Sequence, residues 1–148
     1  MNAQDSVIAL AADHAGHDLK ARIAAHLVER GIPVLDLGTH GTQSVDYPDY
    51  GRALAEAVSS GKARFGIAIC GSGIGISIAA NRNPAIRAAL CSEPLSARLA
   101  RAHNDANVLA LGARLIGEVM AFEIVDVFLA TAFEGGRHAA RVDKLGTP

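Results

Sequence analysis

The chain has 148 residues, half of them hydrophobic and 4% aromatic, and a net charge of −1. That length suits one domain with a sizeable core, and the near-zero charge excludes the basic field that a nucleic-acid binder carries. No run of about 18 apolar residues is present, the N-terminus lacks the basic start and apolar core of a signal peptide, and two cysteines without ligand spacing give neither a disulfide framework nor a zinc site. The expectation is a single cytoplasmic domain over residues 1–148 with no membrane and no nucleic-acid partner.

In chain order, Val7 to Ala12 reads as a buried strand and Asp13-His14-Ala15-Gly16 as its turn. Leu19, Ile23, Leu27 and Val28 then share one helical face, and Gly31 closes the helix. Pro33 to Leu37 is a second strand, and Gly38 to Asp49 a polar loop with Tyr47-Pro48 near its end. Arg52 to Ser60 is a helix closed by Gly61, and Phe65 to Cys70 a third strand. A glycine turn follows, then a helix to about Asn81. Ile86 to Cys91 is a fourth strand, Pro94 to Ala102 a helix and Val108 to Leu111 a fifth strand. Ile116, Met120, Val127 and Phe128 mark a helix from Arg114 to Ala130. The tail from Glu134 to Pro148 is polar; its two arginines at helical spacing suit a short helix over a ligand or a neighbouring subunit.

Alternation of strands and helices predicts an α/β fold: three αβα layers, Rossmann-like, with a five-stranded parallel sheet and a C-terminal tail helix. Ligands of such sheets bind beyond the carboxyl ends of the strands. Asp13, His14, Cys70 to Gly75 and Arg114 all fall there.

The stretch Cys70-Gly71-Ser72-Gly73-Ile74-Gly75 carries the chemistry. Backbone amides of a strand–turn–helix junction converge on one spot, and the helix dipole adds positive potential. A thiolate or an enediolate is stabilised there, so Cys70 at its edge is a candidate base. Taken alone, the turn is also what close helix–sheet packing requires, and a free cysteine is often a small core residue. The spacing is not a dinucleotide fingerprint, and no Gly-Lys-Ser/Thr makes it a phosphate loop. Asp13 reads equally as a helix cap, Ser72 as a turn hydroxyl and His103 as a helix-end charge. Arg137 and Arg141, at i and i+4, form a local anion site to which Arg114 can add. Cys91 and Met120 read as core. No nucleotide, metal or pyridoxal motif is present, and the inventory fits cofactor-free proton transfer beside a carbonyl on a small phosphorylated substrate.

Several separated motifs together resemble one family. They are Asp13-His14 with Gly16, Asp46-Tyr47-Pro48, Cys70-Gly71-Ser72-Gly73 with Gly75-Ile76-Ser77, Cys91-Ser92-Glu93, His103-Asn104-Asp105, Gly112-Ala113-Arg114, and Glu134 to His138 with Arg141. The ordered set is similar to the type B ribose-5-phosphate isomerases, a group that also holds the subunits of galactose-6-phosphate isomerase. The resemblance implies metal-free interconversion of D-ribose 5-phosphate and D-ribulose 5-phosphate, a step of the pentose phosphate pathway. It implies Cys70 as the base between carbons 2 and 1, and His103, helped by Asp13, as the group that opens the sugar ring. Gly71, Ser72, Gly73, Ile74 and Gly75 would hold the enediolate oxygen. Ser72 stands where many members have threonine, and no carboxylate near Ile74 competes with Cys70. His14, Arg114, Arg137 and Arg141 map to phosphate positions, Asn104 to a sugar contact, and Tyr47 is counted among the substrate-binding residues. A homodimer or homotetramer with sites between subunits is implied as well. A six-carbon sugar phosphate, such as allose or galactose 6-phosphate, would need the same chemistry with a pocket length set by Gly38 to Asp46. A non-catalytic sugar-phosphate module would bind without turnover and tolerate Cys70→Ala.

Overall fold

The computed structural model describes residues 6–147; Met1–Asp5 and Pro148, the two ends of the expected domain, lie outside the described residues. Five strands form one parallel sheet in the order β2-β1-β3-β5-β4: β1 (Ile8–Ala12), β2 (Val34–Asp36), β3 (Phe65–Cys70), β4 (Ala88–Leu90) and β5 (Val108–Gly112). The helices are α1 (His17–Glu29), α2 (Tyr47–Ser59), α3 (Ile74–Asn81), α4 (Pro94–Asn104), α5 (Glu118–Ala130) and α6 (Ala139–Leu145), the last preceded by a 3₁₀ turn, Gly136–His138. The expected three-layer α/β architecture is the one observed.

Strand alternation sorts residues by size between the two faces. Ile8, Leu10, Phe65, Ile67, Ile69, Leu109 and Leu111 pack towards α1, α4 and α5. Ala9, Ala11, Ala68, Cys70 and Ala110 face α2 and α3. The small residues let α2 and α3 lie close: a Cβ on Gly66 would sit 2.9 Å from Leu54 Cδ2, and one on Gly51 2.8 Å from Ala79 Cβ. Cys70 therefore ends a strand on the face where the next helix begins nearest the sheet. The order places β1 beside β3, where successive crossovers diverge and a crevice opens at the carboxyl ends.

Several boundaries differ from expectation. Val28 is 63% exposed, because Leu19, Ile23 and Leu27 already complete the buried stripe; Lys20 is buried instead, its ammonium paired with Asp36. The loop after β2 is shorter than expected, since α2 starts at Tyr47 and Pro48 occupies its first turn, where the missing N–H costs nothing. Only Ala88–Leu90 of the fourth strand pairs, and on one side alone. Helix α4 continues to Asn104, so His103 lies in its last turn. Helix α5 starts at Glu118, which leaves Arg114 in a turn. Met120 is 41% exposed rather than core, because the stripe that meets the sheet is Ala121, Ile124, Val125 and Phe128. The tail does form a short helix, as its arginine spacing suggested.

Candidate active site

At the carboxyl end of β3 the chain turns on glycine. Gly73 has φ of 77°, and a Cβ there would lie 2.6 Å from Leu90 Cδ1 and 2.8 Å from the Leu111 carbonyl carbon. Only glycine meets both demands. The Gly73 amide donates to Cys70 Sγ at 3.2 Å, one backbone donor of the several the sequence led us to expect on the thiol. Cys70 is 4% exposed, buried beneath the turn. Ser72 Oγ accepts from the Ile74 amide at 3.2 Å, a turn contact that leaves its own hydrogen free to donate.

The neighbouring strand ends close over this turn. Asp13 is buried; its Oδ1 accepts from the amides of Ala15 and Gly16 at 3.0 and 3.2 Å, bracing the turn before α1 rather than capping the helix as the sequence suggested, because Gly16 holds the cap position. Beside it, His14 Nδ1 accepts from the Val45 amide at 3.2 Å, so the neutral ring carries its proton on Nε2. From β5, the Ala113 and Arg114 amides donate to the carbonyls of Cys70 and Gly71, both at 2.9 Å. The Arg114 guanidinium lies along Gly71, where a Cβ would be 3.2 Å from its terminal nitrogen. The Tyr47 ring rests on Gly75 in the same way. Asp13, Tyr47, Cys70, Gly71, Ser72, Ile74, Gly75 and Arg114 line one cavity of about 550 Å³, whose apolar rim Ile78 and Leu115 complete.

The remaining candidates lie elsewhere. Helix α4 runs back across the sheet, so His103 and Asn104 fall just before β5, at the amino end of the strands. The Asn107 carbonyl accepts from Gly66 at the start of β3, whereas Cys70 ends that strand. At about 3.3 Å per residue, roughly 17 Å of strand separates the two ends. Arg137 and Arg141 belong with His103, because the Glu134 amide donates to the Ala102 carbonyl at 3.0 Å and His138 stacks on His103. Within one chain, Asp13 does not meet His103, and Arg114 does not join the other two arginines. Asn104 lines a different cavity, beside Arg87 and Leu145.

His138 and Glu134 were not singled out in the sequence as site residues. Both stand in the Glu-Gly-Gly-Arg-His motif, but only the fold shows a buried imidazole among them. The core reading of Cys91 holds: it is 3% exposed, and burial, with the Glu93 charge, pushes its thiol up to about 11.

A buried thiol that accepts a backbone amide, a carboxylate and a cation gathered at the carboxyl end of a parallel sheet define a doubly wound α/β protein with its candidate site at the topological switch point. The Ribose/Galactose Isomerase family model matches residues 8–145, and the chain belongs to that family. It is similar to ribose-5-phosphate isomerase B of Escherichia coli, 53% identical over 138 residues that cover 93% of each chain. Among solved structures it resembles ribose-5-phosphate isomerase B of Clostridium thermocellum, 56% identical with a TM-score of 0.94 and 95% of each chain covered. The corresponding Thermotoga maritima structure is 52% identical with a TM-score of 0.95, covering 97% of this chain and 99% of the other.

Proposed function

We propose that the protein interconverts D-ribose 5-phosphate and D-ribulose 5-phosphate by ring opening followed by proton transfer through an enediolate. The observation that carries this reading is the Gly73 amide aimed at Cys70 Sγ at 3.2 Å inside the anion-holding turn, in a chain of this family. Cys70 as thiolate removes the proton from C2 of the open-chain aldose and returns it to C1, while the proton on O2 passes to O1. The free amides of the glycine turn and the Ser72 hydroxyl stabilise the oxyanion; one such donor is typically worth roughly 10²–10³ in rate. Ring opening breaks the C1–O4 bond as a proton leaves O1 and another reaches O4, and His103 serves as the acid or base.

This division of labour needs a second copy. His103, Asn104, Arg137 and Arg141 lie at the far end of the sheet from Cys70, so two chains lying antiparallel about a two-fold, the carboxyl end of each sheet beside the amino end of the other, complete both sites. The exposed apolar side chains beside the Cys70 cavity suit that contact: Ile74, Ile78 and Leu115 are 52%, 51% and 66% exposed. The partner's arginines then hold the phosphate that orients the sugar over this chain's thiol. No helix among the described residues is long and apolar enough to cross a membrane, and we read the protein as a cytoplasmic enzyme.

Complementation tests the reading. Cys70→Ala and His103→Asn chains are each inactive on ribose 5-phosphate. Unfolded together and refolded as an equal mixture, half the dimers pair one of each, and each such dimer has one intact site. About a quarter of the native rate should return, given two symmetric sites per pair. No recovery in a mixture shown to hold mixed dimers would mean that both residues act within one chain. No turnover of ribose 5-phosphate by the native protein would defeat the reading itself.

A further inference from the structure

His103 does not stand alone at the amino end of the sheet. Its ring lies flat on that of His138, with centroids 4.4 Å apart and planes 13° from parallel. Glu134 Oε1 is 3.8 Å from His103 Nε2 and 3.7 Å from His138 Nε2. The backbone builds this stack. Gly135 and Gly136, with φ of 68° and 55°, fold the chain back after α5, and the Glu134 amide ties it to the last turn of α4. The His103 side chain is 39% exposed, whereas that of His138 is 11% exposed.

Three ligand atoms within 4.8 Å of one another suggest a metal site, but the ring geometry argues against it. An ion shared by two imidazoles must lie in the plane of both, and stacked rings send their lone pairs along parallel planes. Proton chemistry fits better. Two imidazolium rings face to face repel, so one must stay neutral. Burial pushes the His138 imidazolium down, and the charges of His103, Arg137 and Arg141 act the same way against the opposing pull of Glu134. His138 is the buried wall of the stack, and His103 is the member that faces outward.

We propose that His138 is a positioning residue for ring opening, its buried ring fixing the plane in which the His103 imidazole meets the sugar. The inference rests on the role given to His103 above. An imidazole exchanges protons only along its ring plane, so a rotated ring points its nitrogen away from O1 or O4. Misplacement of a reacting group by about 1 Å costs roughly 10²-fold.

The two directions of the reaction separate this role from a structural one. Ribose 5-phosphate is mostly a closed furanose and must be opened. In ribulose 5-phosphate the C5 hydroxyl is esterified, so it cannot close on C2 and enters as an open chain. A variant defective only in ring opening still turns ketose into open-chain aldose, which closes in solution. We therefore expect His138→Ala to slow the aldose direction about 10²-fold and the ketose direction far less. His138→Phe, which restores a flat ring, should recover most of the ratio between the two. Steady-state rates in both directions, for these variants and His103→Asn, decide the matter, because the ratio is insensitive to the folded fraction. An unchanged ratio in His138→Ala, or a Phe variant as skewed as Ala, overturns the proposal while leaving His103 in place. An unchanged ratio in His103→Asn overturns the ring-opening role of His103 and the proposal with it.

Discussion

The two ends of the sheet solve different problems with different materials. At the carboxyl end the candidate groups are backbone amides, the Cys70 thiol, the Ser72 hydroxyl and the Asp13 carboxylate, with His14, Tyr47 and Arg114 around them, gathered at a turn that only glycine can make. At the amino end they are long side chains, two imidazoles and two arginines, placed by a helix terminus and a folded-back tail. Each end is braced by a buried cation on a carboxylate: Lys20 on Asp36 at 2.6 Å, and Arg101 on Asp105 at 2.9 Å. Asp105 takes φ of 47° as the residue that closes α4, so the second brace fixes the turn right after His103 and Asn104. In the proposed reaction the carboxyl end stabilises charge as it develops, and the amino end captures substrate and exchanges its ring proton. Backbone donors suit the first task because they need no reorganisation. Long cationic side chains suit the second because they reach a phosphate held across a subunit boundary.

Substitutions at each end sharpen this contrast. The largest effect is expected from Cys70→Ala. Turnover should fall by about 10²–10⁴, while ribose 5-phosphate still binds in an equilibrium titration. Loss of binding together with turnover would mean that the cysteine shapes the pocket rather than moving the proton. Arg137→Ala should act the other way. A charge-assisted hydrogen bond is worth about 1.5–3 kcal/mol, so KM should rise roughly ten- to a hundredfold with a smaller change in kcat. A fall in kcat at unchanged KM would remove Arg137 from phosphate capture.

The braces should reveal themselves in stability. Removing Lys20 leaves a carboxylate without its partner, and because Asp36 is about one-third exposed the cost is set at about 1–3 kcal/mol. Its pH dependence has a definite sign. Burial pushes the Asp36 carboxyl up, but the Lys20 hydrogen bond, the Gly38 amide and the nearby positive charges outweigh it, so the folded value lies below the ordinary 3.8. The unfolded chain therefore binds the proton more tightly. This contribution is complete above 3.8 and fades as pH falls through the depressed folded value. Urea unfolding from pH 6 down to pH 2 should show this loss in the native protein and not in Asp36→Asn. The smallest effect is expected from Cys91→Ala, about 1 kcal/mol of stability with turnover intact. With its thiol near 11, Cys91 should also resist alkylation at pH 8 in the folded protein. Rapid labelling there would mean that the core opens beside β4.

Much of the carboxyl end was legible in the sequence. A buried strand, glycines at alternate positions and a following helix leave one local geometry, and Asp13, Cys70 and Arg114 each stand at or within two residues of a strand's carboxyl end. The positions that misled have two causes. Val28 and Met120 satisfy helical periodicity, yet a stripe three or four residues wide was already complete without them. Tyr47-Pro48 looked like a loop because proline usually ends helices, whereas here it begins one. The stack of His103 on His138 lay beyond local reading, since 34 residues and a whole strand–helix unit intervene between them.

The amino-acid sequence alone determined the order of strands and helices and the glycine turn that follows Cys70, because these depend on backbone sterics and on neighbours within a few residues. Only the tertiary structure decided which groups share an end of the sheet. Parallel strands run one way and their helices run back, so residues read together as one site part to opposite edges. His138, read in the sequence only as part of the tail motif, comes to rest against His103, because contacts between distant segments are set by packing.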